Sequence, residues 1–169
     1  MPVYIALLRA VNVGGTGKLP MSELRGMCEA LGFTRVQTYI ASGNVVFESR
    51  LAEASVKKKL EKSLEVYAGK PVGVAVRTAK EWAAVLQGNP FPDAAPDRTV
   101  AFFLDSPPPA DALDKVSGRN AEEFRLGARE IYVFYKDGIG RSKLKIAAAK
   151  DGTARNMNTV AKLLEMAQE

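Results

Sequence analysis

Residues 36–47, V-Q-T-Y-I-A-S-G-N-V-V-F, set Ser42-Gly43-Asn44 between two short β-prone runs. Serine, glycine and asparagine are turn formers, while valine and phenylalanine favour the half-buried surface of a pleated sheet. The stretch therefore reads as a hairpin: a short strand over 36–40, a turn, and a strand from Val45. Upstream, Leu24, Met27, Cys28 and Leu31 repeat at helical spacing, and Gly32 closes that stripe. Before it, 3–13 is an apolar run in which Val3, Ile5 and Leu7 face one way and Tyr4, Ala6 and Leu8 the other. A strand apolar on both faces is central and covered on both sides.

Downstream of the hairpin, Val56, Leu60, Leu64 and Tyr67 mark a second helix that stops at Gly69 with Pro71 beyond. Val72, Val74 and Val76 then alternate as a fourth strand. The order is βαββαβ, the split βαβ of a ferredoxin-like unit. Thr78-Ala79-Lys80-Glu81 is a capping box, so a further helix starts there and reaches about Gln87. The expected fold class is α+β, with this unit followed by a second, similar α+β unit and an extra C-terminal helix. Three prolines in N-P-F-P-D-A-A-P make 89–97 the expected linker, between a first subdomain at 1–88 and a second at 98–169. In the second, Thr99–Leu104 reads as a strand, Pro107-Pro108-Pro109 opens a short helix with Leu113 and Val116, and 124–126 and 131–135 form another hairpin. Residues 142–150 read as a helix, and Val160, Leu163, Leu164 and Ala167 as the last one.

Composition removes several chemistries. The chain has 169 residues, a net charge of +5 and no histidine. An imidazole base, a Ser-His-Asp triad and a Cys/His zinc site are excluded. One cysteine, Cys28, forms no internal disulfide and lies on an apolar stripe as a core residue. That suits a reducing, cytoplasmic setting. No apolar stretch approaches the roughly 20 residues that span a bilayer, and no cofactor is expected.

Polar residues gather in three places. The loop N-V-G-G-T-G-K (12–18) is not a Walker motif, because Asn12 stands at the first glycine position and Leu19 where Ser or Thr is needed. Two readings of Asn12, Gly14, Gly15 and Lys18 stand: a turn needing positive φ, or backbone N–H groups that cradle an anion. The split βαβ order brings Ser42 and Asn44 to this end of the first strand, and Arg9 precedes it in an apolar run, where it needs a partner or a ligand. The second gathering is Arg141, Ser142 and Lys143, with Lys145 after them. Cations there oppose the expected helix dipole, as an anion site does, although a solvated basic face looks the same in sequence. The third is Arg155, Asn156 and Asn158, of which one asparagine serves as an N-cap. Lys57-Lys58-Lys59 with Lys62 is a solvated helix face.

Together, L-R-A-V-N-V-G-G, S-G-N-V-V-F, N-P-F, G-R-S-K-L and A-R-N-M-N-T resemble the bacterial family catalogued as domain of unknown function 1697 (DUF1697), from Tyr4 to about Leu164. The resemblance implies a two-part α+β protein and no particular activity. The matching positions are Arg9, Asn12, Gly14, Gly15, Ser42, Gly43 and Asn44, then Gly140, Ser142, Lys143, Arg155, Asn156, Asn158 and Thr159. Ala10 replaces the glycine, and Met157 the aromatic residue, that the family pattern implies. Three functions fit. The first is a binding protein for a phosphorylated ligand, a nucleotide or RNA, held by the glycine loop and a basic helix N-terminus. The second is a histidine-independent enzyme on a phosphate-bearing or acidic substrate. The third is a structural or partner-binding protein, monomeric or homodimeric.

Overall fold

The computed structural model describes residues 1–9, 19–150 and 152–168, with Arg141 described in its backbone alone. The chain divides into two compact units, Met1–Ala83 with Lys162–Glu169, and Ala84–Ala161.

The first unit runs β1 (Val3–Leu8), α1 (Met21–Ala30), β2 (Thr34–Tyr39), β3 (Asn44–Glu48), α2 (Glu53–Ala68) and β4 (Val74–Thr78). Its sheet has the order β2-β3-β1-β4, and each neighbouring pair is antiparallel. β1 is central, as its two apolar faces require. Tyr4, Ala6 and Leu8 join Val45, Phe47, Val74 and Val76 in one core cluster with Leu24 and Cys28 of α1 and Val56, Leu60 and Leu64 of α2. Phe33 stacks on Phe47 with ring centroids 4.4 Å apart. Ile5 and Leu7, on the opposite face, are wholly buried too. The helical spacing in the sequence thus marks the stripes that α1 and α2 turn onto the sheet, except that Tyr67, in the last turn of α2, is exposed. Burial of Cys28 pushes its thiol up to about 12, so the reactive thiolate is almost absent at neutral pH. Alkylation by iodoacetamide at pH 8 is expected to leave the native protein unmodified and to label it once in denaturant. Rapid labelling of the folded chain would contradict this burial.

α3 (Ala79–Gln87) follows β4 directly. Its capping box closes in both directions: Glu81 N–H donates to Thr78 Oγ1 at 3.1 Å, and Thr78 N–H to Glu81 Oε1 at 2.9 Å.

The second unit contains β5 (Thr99–Phe103), β6 (Val116–Ser117), β7 (Glu123–Leu126), β8 (Glu130–Phe134), β9 (Lys145–Ile146) and β10 (Thr153–Asn156), which leads into α4 (Met157–Ala167). Its main sheet has the order β10-β5-β8-β7, again antiparallel throughout. Strand for strand this is the first sheet repeated: β5 takes the place of β1, β7 and β8 that of the β2–β3 hairpin, and β10 that of β4. The copy extends to a buried arginine. Arg77 lies opposite Ile5, the third residue of β1, and Arg155 lies opposite Ala101, the third residue of β5. Each Nη1 donates to the carbonyl of the preceding residue, Val76 at 3.0 Å and Ala154 at 2.8 Å. The residue after each arginine caps the following helix, Thr78 for α3 and Asn156 for α4. No identity between the halves announces this; it is a repeat of topology and register.

The two copies differ in what covers them. The helices expected at Pro107–Val116 and 142–150 do not form. In their place stand 3-10 turns at Ala112–Asp114, Ile139–Arg141 and Ala147–Ala149, and β6 pairs antiparallel with β9. Ser142 is extended, at ψ 137°, and Ile146 is matched to Val116. Backbone groups of 145–146 are satisfied by pairing with 116–117, a partner far away in sequence that local helix propensity does not register. There is accordingly no helix starting at Ser142, and the basic helix N-terminus expected at Arg141–Lys143 is corrected to an extended segment.

Candidate functional site

The lost helices leave a space. In the first unit α1 and α2, 10 and 16 residues long, cover one face of the sheet. On the second sheet the corresponding face carries Val100, Leu104, Ile131, Val133 and Tyr135, and its cover is the two-residue ribbon β6–β9 with short turns. Those five residues are buried, and Phe102 on the same face is half-buried. Beside the ribbon lies a cleft of about 610 Å³, within the range of small-molecule sites. Phe102, Tyr135, Leu144 and Ile146 give it an apolar lining, and Lys115, Lys145 and Lys150 stand around it. All three lysines are exposed residues. Lys115 Nζ lies 3.3 Å from Asp111 Oδ2 across an exposed pair, a contact weak enough for another anion to compete with.

One wall of the cleft is held by a buried carboxylate. Glu122 accepts the Ser142 hydroxyl at 2.6 Å and the Asn120 N–H at 2.6 Å. Ser142 Oγ in turn accepts the Leu144 N–H at 3.1 Å, which fixes the start of the wall. The Ser142 hydrogen bond, followed by that from Asn120, holds the Glu122 carboxyl below its ordinary pKa. The backbone is clamped beside it. Gly118 has φ +70°, and a Cβ there would lie 2.0 Å from the Lys143 carbonyl oxygen. Arg119 lies over the Phe124 ring at 4.6 Å.

Tyr135 is 7% exposed. Among the described residues its hydroxyl has no hydrogen-bond partner, although every wholly buried side-chain nitrogen or oxygen there has one. The residue lines the cleft. Burial, with Glu122 adding to it, raises its pKa, so the phenol keeps its proton at neutral pH and can donate.

The sequence candidates fall as follows. Asn12, Gly14, Gly15 and Lys18 lie outside the described residues. Arg9 is exposed, and its N–H donates to Gly73 O at 2.9 Å. Ser42 and Asn44 come together inside the β2–β3 hairpin. Asn44 is fully buried and donates to Tyr39 O at 2.8 Å and to Ser42 Oγ at 2.9 Å, so its amide fastens the turn. Arg141 is described in its backbone alone, Ser142 is engaged by Glu122, and Lys143 is exposed. Arg155 is buried in β10, where desolvation lowers its pKa to about 10 and leaves it charged at neutral pH. Asn156 accepts the Thr159 N–H at 3.0 Å as the cap of α4, and Asn158 is exposed in the first turn. Met157 is buried, so the position where the family pattern implies an aromatic is a packing position here. Sequence reasoning reached Lys145 but missed Phe102, Tyr135, Lys115, Lys150 and Glu122. Nothing local marks them, because they meet only through the β6–β9 pairing.

The fold and this site define a two-unit α+β chain. Residues 1–132 match the family described as protein of unknown function DUF1697, and the chain belongs to that family. It is similar over its whole length to a solved structure, the conserved bacterial protein SP0830 from Streptococcus pneumoniae. The two share 25% identity and a TM-score of 0.81, covering 98% of each chain. No curated protein matches. No helix among the described residues is long and apolar enough to cross a membrane.

Proposed function

We propose that this protein binds a small phosphorylated ligand in the cleft of its second unit. The observation that carries this is an apolar lining of Phe102, Leu144 and Ile146 surrounded by Lys115, Lys145 and Lys150. An apolar body and an anionic group on one ligand are what that arrangement complements. The basic segment flagged in the sequence contributes through Lys145, and the net charge of +5 favours the approach of an anion.

Calorimetric titration with nucleotides, sugar phosphates and short RNAs at two salt concentrations tests this. Micromolar binding that weakens at higher salt is expected, and K145A/K150A should weaken it about tenfold or more. No heat with any phosphorylated probe, or unchanged affinity in the double variant, would overturn the assignment.

A further inference from the structure

We infer that Tyr135 selects the ligand, donating its hydroxyl hydrogen to an acceptor atom within the apolar part, and that the ligand class is a nucleoside monophosphate. This rests on the anion-binding assignment of the same cleft. Three chemical demands meet there, and few ligand classes satisfy all of them.

The lysines ask for an anionic group. Phe102, Leu144 and Ile146 ask for a flat or compact apolar body. Tyr135 asks for an acceptor, because a hydroxyl left unpaired under a bound ligand weakens the complex. A simple alkyl phosphate meets the first two demands and fails the third. A bare sugar phosphate meets the first, but has no apolar face to lie against Phe102, Leu144 and Ile146. A nucleobase has apolar faces to lie against Phe102 and carries acceptors in its ring plane, with a phosphate at the other end of the molecule. The Tyr135 phenol stays neutral at physiological pH, so it donates and does not repel that phosphate.

The experiment titrates adenosine 5′-monophosphate, uridine 5′-monophosphate, ribose 5-phosphate and inorganic phosphate into the full chain and into Tyr135→Phe. The hydroxyl has no protein partner among the described residues, so Tyr135→Phe is expected to keep the wild-type melting temperature. At least one nucleoside monophosphate should bind tenfold or more tighter than ribose 5-phosphate. Tyr135→Phe should erase most of that difference while leaving ribose 5-phosphate binding unchanged. Equal binding of nucleotides and ribose 5-phosphate, or nucleotide binding indifferent to Tyr135→Phe, overturns the selection by Tyr135 and leaves the anion site standing. Failure of all four probes to bind overturns both.

Discussion

Gly118→Ala is expected to destabilise the protein by about 2–4 kcal/mol, combining a positive-φ cost with overpacking against backbone. The added Cβ would sit 2.0 Å from the carbonyl oxygen of Lys143, and the glycine has φ +70°. A backbone oxygen cannot rotate aside as a side-chain end can, so one of the two segments must shift. Gly69→Ala is the control. It sits in the left-handed region at φ +74° and ψ 10° with nothing within 4 Å of the new methyl, so it should lose only about 1–2 kcal/mol. Thermal unfolding of the two variants beside the wild type separates the contributions. Equal midpoints would show that residues 118 and 143 are not clamped together.

The second large effect is Glu122→Ala. It strips the acceptor from the Ser142 hydroxyl and the Asn120 N–H, both at 2.6 Å. Asn120 is exposed and Ser142 half-buried, so water can reach the freed donors and the loss is on the order of 1–2 kcal/mol. The cleft wall at Leu144 and Lys145 loses its anchor in the same step, so the binding proposed for that cleft should weaken along with stability. The acid limb of stability gives an independent check. The folded Glu122 carboxyl titrates below its ordinary value. Its contribution is therefore complete above the unfolded glutamate pKa, and is lost as pH falls through the lower folded one. Denaturant midpoints should drop across that acidic window in the wild type. Glu122→Gln keeps an acceptor oxygen but no titrating group, so it should flatten the part of the drop due to this residue. A wild-type profile matching that of Glu122→Gln would remove the carboxylate from the account.

The first unit was nearly complete in its sequence. Gly69 and Pro71 bound α2, the Thr78–Glu81 box starts α3, and the alternation in 3–8 marks β1 as covered on both faces. Each of these signals is local: a cap or a periodicity acts within one or two turns of chain, and nothing later in the fold opposes it. Asn44 was legible as a turn residue, though not as the buried amide that fastens the turn to Tyr39 O. In the second unit the strands β5, β7 and β8 were equally plain. The failures at 107–116 and 142–150 share one cause. Val116 and Ile146 carry apolar side chains that suit either a helix or a ribbon, and Ala147-Ala148-Ala149 favours a helix by propensity. The β6–β9 pairing, thirty residues apart in the chain, decides between them.

The amino-acid sequence alone determined that this is a two-part α+β chain without histidine chemistry or an internal disulfide, and it located the central strands, the hairpins and most caps. Those properties follow from residue type and short-range spacing. The sequence also led to the expectation of a second, similar unit, while only the tertiary structure added β10 to its sheet and decided that its face is covered by a ribbon where the first has helices. Only there does Tyr135 meet the three lysines in one cleft. Closing that ribbon costs loop entropy, which apolar burial and the Glu122–Ser142 anchor offset, and these terms exist only once residues distant in sequence have come together.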